Sequence, residues 1–230
     1  MKNFLCFAHR GASGHEPENT LPAFEKAIAL GAEWIELDVH AVEGELIVIH
    51  DDRLERTTNG TGYVTEKSLD DLRSLDAGNG QRIPTLREVF DLVDQRAGIN
   101  VELKGPDTAG LTCQLINEYV NDHGWISDRF IVSSFNRHEL KKAHRLMPGI
   151  KIGVILGGAY CRYAAFAKRR AVYSVHPRMD LVNIKFVEQA HRLGLKVFVY
   201  TVNNIADIMQ MKAMGVDGIF TNYPEHIGTC

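Results

Sequence analysis

The 230-residue sequence lacks the features that mark several broad classes of protein. Its four cysteines, Cys6, Cys113, Cys161 and Cys230, share no CxxC spacing, so they suggest neither a zinc site nor a disulfide framework. No apolar run approaches the roughly 20 residues of a membrane span, and Phe4–Ala8 is too short for the apolar region of a signal peptide. We therefore expect reduced thiols, no membrane partner and a cytoplasmic location.

The sequence also has little excess of charge of either sign. It has 26 basic and 29 acidic residues, a net charge of −3, which gives no overall attraction for nucleic acid. An anionic ligand would have to be bound by a local group of cations or by a metal. A GxGxxG motif after the first apolar segment is missing as well, which argues against a dinucleotide-binding fold.

Short apolar segments alternate with amphipathic ones along the whole chain. The predicted strands are Phe4–Ala8, Trp34–His40, Leu46–His50, Ile99–Lys104, Phe130–Ser134, Ile152–Leu156, Val172–Val175, Lys196–Thr201 and Gly218–Thr221. The predicted helices are Leu21–Leu30, Leu86–Gln95, Gly110–His123, Arg137–Leu146, Arg162–Arg169, Ile184–Leu193 and Ile205–Met214. Such alternation is typical of a parallel sheet covered by helices. Over residues 1–230 it predicts a single α/β domain, a (β/α)8 TIM barrel.

Two segments do not fit a regular repeat. Nine strands are predicted where a barrel needs eight, and only Ala41–Glu45 separates the second from the third, which is short for a helical crossover. Either a helix is missing there, or the Leu46 segment forms a hairpin. Residues 51–84 have no strong apolar period and are rich in Gly, Asn, Thr and Asp, so we predict an insertion over one rim of the barrel.

Polar side chains lie at the ends of the first four predicted strands. Active sites of barrel enzymes lie at the carboxyl ends of the strands. If all four strands run in parallel, their polar ends meet at one rim, and these are His9-Arg10-Gly11, Glu36 with Asp38, His50-Asp51-Asp52, and Glu102 with Lys104.

The three carboxylates are predicted to point into the barrel. Glu36 and Asp38 are two residues apart, so they share one face of their strand, and Glu102 shares a face with Lys104. Inward carboxylates would repel one another unless a cation lay between them. Oxygen donors without His or Cys are typical of a hard ion, so we expect one divalent cation, Mg²⁺ or Ca²⁺.

The motifs together resemble the signature of the glycerophosphodiester phosphodiesterase family, cytosolic bacterial type. The resemblance covers essentially the whole chain, and its first half is the more specific because several blocks occur in order. The blocks are His9-Arg10-Gly11, Glu18-Asn19-Thr20, Glu36-Leu37-Asp38-Val39, His50-Asp51, Arg56-Thr57-Thr58, Val101-Glu102-Leu103-Lys104, Ser133-Ser134-Phe135, Tyr200-Thr201-Val202-Asn203, Gly215-Val216-Asp217-Gly218 and Thr221-Asn222-Tyr223-Pro224.

The resemblance implies a barrel with an insertion after the third strand and metal-dependent hydrolysis of a glycerophosphodiester, a small-molecule substrate, to sn-glycerol 3-phosphate and an alcohol. It also implies a role for each residue of the site: Glu36, Asp38 and Glu102 as metal ligands, His9 and His50 as the general acid and base, Arg10 and Lys104 on the phosphate, and Phe135 and Tyr200 around the glycerol. Two positions depart from the commonest pattern, Tyr200 from Trp and Asn222 from Asp, and we expect them to affect substrate preference and the rim.

Two other functions are compatible with a barrel of this kind. A related phosphodiesterase could act on lysophospholipids or phosphoinositides, and an apolar rim would favour it. A binding module without catalysis would be expected to lack a histidine or a carboxylate of the site, and all of these are present. The sequence leaves open whether the protein is a monomer or a homodimer.

Overall fold

Eight parallel strands close into a barrel in the computed structural model, which describes residues 4–157 and 172–229. The strands in chain order are β1 Leu5–His9, β2 Trp34–Val42, β3 Glu45–Val48, β4 Gly98–Leu103, β5 Phe130–Ser134, β6 Lys151–Leu156, β7 Val172–Pro177, β8 Lys196–Val199 and β9 Gly218–Thr221. All but β3 belong to the barrel, which closes because β1 pairs in parallel with both β2 and β9. The predicted fold class is confirmed.

Helices connect the strands and cover the outside of the barrel. They are α1 Leu21–Ala29, α2 Leu69–Ser74, α3 Leu86–Val93, α4 Thr108–Asp122, α5 Arg137–Leu146, α6 Ile184–Arg192 and α7 Ile205–Ala213. Thr20 caps α1 and Thr85 forms a capping box with Glu88 at α3, as their sequences favour. The predicted helix Arg162–Arg169 lies outside the described residues. Within the described ranges, none of the helices is both long and apolar enough to cross a bilayer.

Two apolar layers stabilise the barrel and leave its mouth polar. On β2, Ile35, Leu37 and Val39 pack outward in the layer between strands and helices, so the residues between them face inward. Inside the barrel, Phe7 packs against Phe198 and Phe220, with ring centroids 4.7 and 4.8 Å apart. Burying one such ring contributes roughly 1.5–3 kcal/mol to folding.

The third strand of the chain is a hairpin partner of β2 and not a strand of the barrel. β3 pairs antiparallel with β2 through a two-residue turn, Glu43-Gly44, in which φ is positive at both positions (51° and 85°). Two-residue turns of this type match the twist of a hairpin, and glycine is favoured in them. Of the two alternatives left by the sequence, the hairpin is the one observed. The assumption that four consecutive parallel strands end at one rim was therefore wrong.

Residues 51–84 follow β3 and have an apolar cluster of their own. Leu54, Val64, Leu72 and Ile83 pack on the outer face of the hairpin around the fully buried Ile47. The segment also contains the short helix α2 and a 3₁₀ turn at Val64–Glu66, which the sequence pattern did not predict because neither is long enough to show a period. The insertion is thus an ordered structure built on the hairpin.

Candidate active site

The residues proposed from the sequence converge on one cavity at the carboxyl ends of the barrel strands. It has a volume of about 210 Å³ and is lined by His9, Arg10, Glu36, His50, Asn100, Glu102, Lys104, Phe135, Ile155, His176, Tyr200, Thr201 and Phe220. Eight of the nine predicted site residues are in this lining. The ninth, Asp38, is 1% exposed and lies behind Arg10 and Lys104, which contact its carboxylate.

Three carboxylates form a tight cluster in the wall of the cavity. One oxygen each from Glu36, Asp38 and Glu102 lies within 4.8 Å of the others. Parallel pairing of β2 with β4 sets Asp38 beside Glu102, and Glu36 is one pleat further down β2. The inward orientation predicted from the strand alternation is confirmed.

The carboxylates differ in how their surroundings affect ionisation. Burial, and the neighbouring charges of Asp38 and Glu102, raise the pKa of Glu36 well above its usual range. Burial and Asp38 likewise raise the pKa of Glu102 to about 7. Burial also opposes ionisation of Asp38. The nearby groups Lys104, His50 and Arg10 together have the larger effect and hold the pKa of that carboxyl below its usual value. Three ionised carboxylates would therefore need a cation among them.

Neighbouring groups fix the positions of these carboxylates. The backbone N–H of Arg10 donates to Glu36 Oε2 (2.9 Å), and Lys104 Nζ donates to Glu102 Oε1 (2.8 Å). The buried Asn19 donates to Asp38 Oδ2 through its side-chain amide (3.0 Å). Asp38 Oδ1 is buried and, within the described part of the chain, accepts no hydrogen bond, although Lys104 Nζ lies 3.6 Å away. A carboxylate oxygen that accepts no hydrogen bond is suited to binding a cation.

The turn after β1 explains the sequence His9-Arg10-Gly11. Arg10 and Gly11 have φ of 57° and 80°, a backbone conformation that most residues avoid. A Cβ at position 11 would lie 2.6 Å from the carbonyl carbon of Ala23 in α1, so only glycine fits. This turn directs the Arg10 backbone N–H to Glu36 and its side chain toward Asp38, with Nε 3.4 Å from Oδ2.

Both predicted histidines line the cavity and are held in one orientation. His9 donates from Nδ1 to Asn222 Oδ1 (2.8 Å), and His50 donates from Nδ1 to Asp51 Oδ1 (2.5 Å). Lys104 Nζ donates to His50 Nε2 (3.1 Å). Burial and the charge of Arg10 lower the pKa of His9 to about 4, and burial lowers the pKa of His50 as well. Both rings are therefore neutral near pH 7, and Nε2 of each is the basic nitrogen.

His50 reaches the cavity because the hairpin reverses the chain. Ile49 donates its backbone N–H to the carbonyl of Asp38 (3.0 Å), so the end of β3 runs back down to the level of the carboxylates. A parallel third strand would instead have ended one rim position further along. The sequence placed His50 at this site, and it does line the cavity, but the reason given for its position was wrong.

Asn222 also has a closer connection to the chemistry than the sequence indicated. We expected its departure from the common Asp to affect substrate preference and the rim, and the structure adds that its side chain bonds directly to His9. A neutral amide keeps the Nδ1 proton on His9 without adding the negative charge that would raise its pKa.

Two residues that line the cavity were not predicted from the sequence. Asn100 and His176 are each 1% exposed. Asn100 donates to Ser133 Oγ (2.9 Å), and His176 Nε2 lies 2.8 Å from Ser174 Oγ. The alternation that places Glu102 inward also places Asn100 inward, so this signal could have been used. His176 carried no comparable signal.

We expect acid to destabilise the protein partly through His176. Burial lowers its pKa to about 3, so between pH 6.5 and 3 the unfolded chain binds a proton that the folded chain does not. Stability from this group is therefore complete above pH 6.5 and falls as the pH is lowered. His176→Gln should reduce the slope of unfolding free energy against pH by about 1.4 kcal/mol per unit in this window.

Chemical denaturation at several pH values measures this slope. The exposed His138 provides a control substitution of the same kind, His138→Gln, with which the slope of His176→Gln is compared. An unchanged slope in His176→Gln would show that His176 is protonated in the folded protein.

Proteins of one known family are similar to this chain over nearly its whole length. The sequence model described as the "Glycerophosphoryl diester phosphodiesterase family" matches residues 9–226. A protein named glycerophosphodiester phosphodiesterase from Caldanaerobacter subterraneus subsp. tengcongensis is 39% identical over 235 aligned positions, covering 96% of this chain and 95% of the relative. One of the same name from Bacillus subtilis is 35% identical, covering 96% of this chain and 84% of the relative.

Solved structures share the fold over nearly the whole chain. An Oleispira antarctica phosphodiesterase, solved with the product sn-glycerol-3-phosphate, superposes with a TM-score of 0.89 at 30% identity, covering 98% of this chain and 95% of that one. A glycerophosphodiester phosphodiesterase from Thermotoga maritima gives a TM-score of 0.81 at 26% identity, covering 100% and 99%.

Proposed function

This chain belongs to the glycerophosphoryl diester phosphodiesterase family and is a glycerophosphodiester phosphodiesterase, and from that premise we propose that it releases sn-glycerol 3-phosphate and an alcohol using two histidines and a carboxylate-bound divalent cation. One observation carries this proposal. A single cavity is lined by two histidines, by Arg10 and Lys104, and by Glu36 and Glu102, with the carboxylate of Asp38 directly behind.

The carboxylate cluster fits a hard divalent cation. Glu36, Asp38 and Glu102 offer only oxygen donors, and Asp38 Oδ1 accepts no hydrogen bond within the described residues. Burial raises the pKa of Glu36 and Glu102, and a nearby cation would favour their ionised forms. Mg²⁺ or Ca²⁺ bound by these oxygens would supply Lewis-acid charge beside a phosphate oxygen.

Arg10 and Lys104 are the cations that would bind the phosphate. Burial opposes the charge on both side chains. The negative charges of Asp38 and Glu18 nevertheless raise the pKa of Arg10, and those of Glu102 and Asp38 raise the pKa of Lys104. Both side chains therefore stay protonated in a partly buried site, where charge stabilisation is stronger than in water. Their role would be to stabilise the negative charge that builds on the phosphate oxygens in the transition state.

The histidines would transfer the protons. In the first step, the glycerol 2-hydroxyl attacks phosphorus, one histidine takes its proton at Nε2, and the phosphorus–oxygen bond to the head-group alcohol breaks. The alcohol leaves with a proton from Nε2 of the other histidine, which must enter this step as the imidazolium and leaves it neutral. The negative charge of the bound phosphodiester would favour that protonation over the neutral form of the empty site. Water then opens the cyclic phosphate, and the two histidines exchange roles.

The apolar part of the cavity would bind the glycerol. Phe135 and Tyr200 meet edge to face with ring centroids 6.4 Å apart, and Ile155 and Phe220 line the same cavity. The Tyr200 hydroxyl donates to the Leu156 carbonyl (3.1 Å), which fixes the ring in this wall.

Activity is expected to depend on a divalent cation. The purified protein would be assayed for sn-glycerol 3-phosphate released from glycerophosphocholine and glycerophosphoethanolamine, without EDTA, with EDTA, and with Mg²⁺ or Ca²⁺ restored. We expect EDTA to abolish release and one of the two ions to restore it, because the ion would supply the Lewis-acid charge beside the phosphate. Full activity in EDTA would contradict the metal assignment. Folded protein with no release from any diester would contradict the proposed reaction.

A further inference from the structure

The insertion contributes one charged side chain that bridges two parts of the active site. Arg56 donates from Nε and Nη2 to the two oxygens of Asp51 (2.5 and 3.1 Å). It also donates from Nη1 and Nη2 to the two oxygens of Glu18 (2.8 Å each). All three guanidinium nitrogens are therefore used to bind two carboxylates.

Each of these two carboxylates also accepts a hydrogen bond from a residue of the proposed site. Asp51 Oδ1 accepts from His50 Nδ1 (2.5 Å), and Glu18 Oε1 accepts from Arg10 Nη1 (2.8 Å). The chain of contacts runs from His50 through Asp51, Arg56 and Glu18 to Arg10. Arg56 is not among the residues that line the cavity, so its effect on the reaction must pass through its partners.

The turn that carries Arg56 is anchored in the apolar cluster of the insertion. Leu54 is fully buried there, and its carbonyl accepts from both the backbone N–H (3.0 Å) and the hydroxyl (2.7 Å) of Thr58. Asn59 and Asp76 exchange two further hydrogen bonds of 3.0 Å each. The guanidinium is thus presented from a rigid loop, which a site held to within a fraction of an ångström requires.

We propose that Arg56 is a positioning residue, through which the insertion sets the orientation of His50 and the location of Arg10 relative to each other. The inference rests on the proposed function of those two residues. Without Arg56, Asp51 and Glu18 share no cation, and each keeps only its contact to His50 or Arg10 without the bonds that fix it from the side of the insertion. The planar fork of arginine suits two carboxylates at once, whereas a lysine would be a single point of charge.

Steady-state kinetics of Arg56→Gln on glycerophosphocholine tests the proposal. We expect kcat to fall about 10–100-fold, the range typical of residues that orient a ligand or catalytic group. KM should rise as well, because Arg10 loses its fixed position. Arg56→Lys should remain well below the wild type, since it restores the charge but not the fork.

Arg53 provides a matched control in the same segment. Its side chain is half exposed like that of Arg56, at 49% against 47%, and it binds Glu55 and lies over the Tyr63 ring. None of these three residues lines the cavity. Arg53→Gln should keep wild-type kcat and KM. Equal losses in Arg53→Gln and Arg56→Gln would overturn the proposal, because they would show a general need for the insertion's surface charges.

Two further measurements separate positioning from loss of structure. If Arg56 acts on His50 through Asp51, Arg56→Gln combined with Asp51→Asn should be within about twofold of the slower single variant. The NMR signal of the His50 Nδ1 proton, assigned with His50→Ala, should shift in Arg56→Gln and stay in place in Arg53→Gln. Additive kinetic effects together with an unmoved signal would overturn the proposal. Failure of the wild-type protein to hydrolyse any diester would instead refute the proposed function.

Discussion

Replacing His9 or His50 by alanine is expected to lower kcat by about 10²–10⁴-fold, the usual contribution of a general acid or base. The two rings are neutral near pH 7 and each has its Nδ1 proton committed, to Asn222 and Asp51 respectively. Nε2 is therefore the nitrogen that can take or return a proton in the cavity. Neither loss can be compensated by the other histidine, since the two steps need both.

His15 provides the control for this experiment. It lies in the loop that follows His9 and β1, is partly exposed, binds Glu225 (2.7 Å) and does not line the cavity. His15→Ala should keep wild-type kcat, and circular dichroism should show all three variants folded. Near-full activity of His9→Ala or His50→Ala would remove that residue from the acid–base pair.

Neutralising one carboxylate of the cluster is expected to have opposite effects on activity and stability. Glu102→Gln should lower kcat/KM by about 10²–10³-fold, as loss of one preorganised charged group typically does. In EDTA the same variant should unfold at a higher temperature than the wild type. The reason is that Glu36, Asp38 and Glu102 repel one another when buried together without a cation.

Calorimetric titration with Mg²⁺ or Ca²⁺ and thermal unfolding with and without EDTA measure both effects. Glu102→Gln should bind the ion more weakly and gain less stability from it than the wild type does. Glu33→Gln is the control, because Glu33 is exposed just before β2, at the opposite end of the strand. A wild type that gains no stability from either ion would contradict the proposed metal site.

Residues of one strand could be assigned to a face from the sequence alone. Glu36 and Asp38 share a face because side chains alternate along a strand, and the apolar Ile35, Leu37 and Val39 between and beside them show which face packs under the helices. The same local rule placed Glu102. Most of the carboxylate cluster therefore follows from spacing within single strands.

Pairings between distant segments could not be read from the sequence. His9 and Asn222 are 213 positions apart and meet only because β9 closes the barrel beside β1, with Ala8 opposite Thr221. Similarly, Arg56 contacts Glu18 across 38 positions because the insertion folds back over the hairpin. Such contacts depend on how the chain closes, and alternation within a strand does not encode that.

The sequence by itself determined the strand–helix alternation and the inward carboxylates, and it named His9 and His50 as candidates for one site. Only the tertiary structure decided that β3 forms an antiparallel hairpin with β2, and hence that the chain returns to the level of Asp38 at His50. It also decided which group orients each histidine. The physical reason is the range of the interactions involved, since the face of a side chain is set by its neighbours in the chain, whereas its partner is set by the packing of the whole barrel.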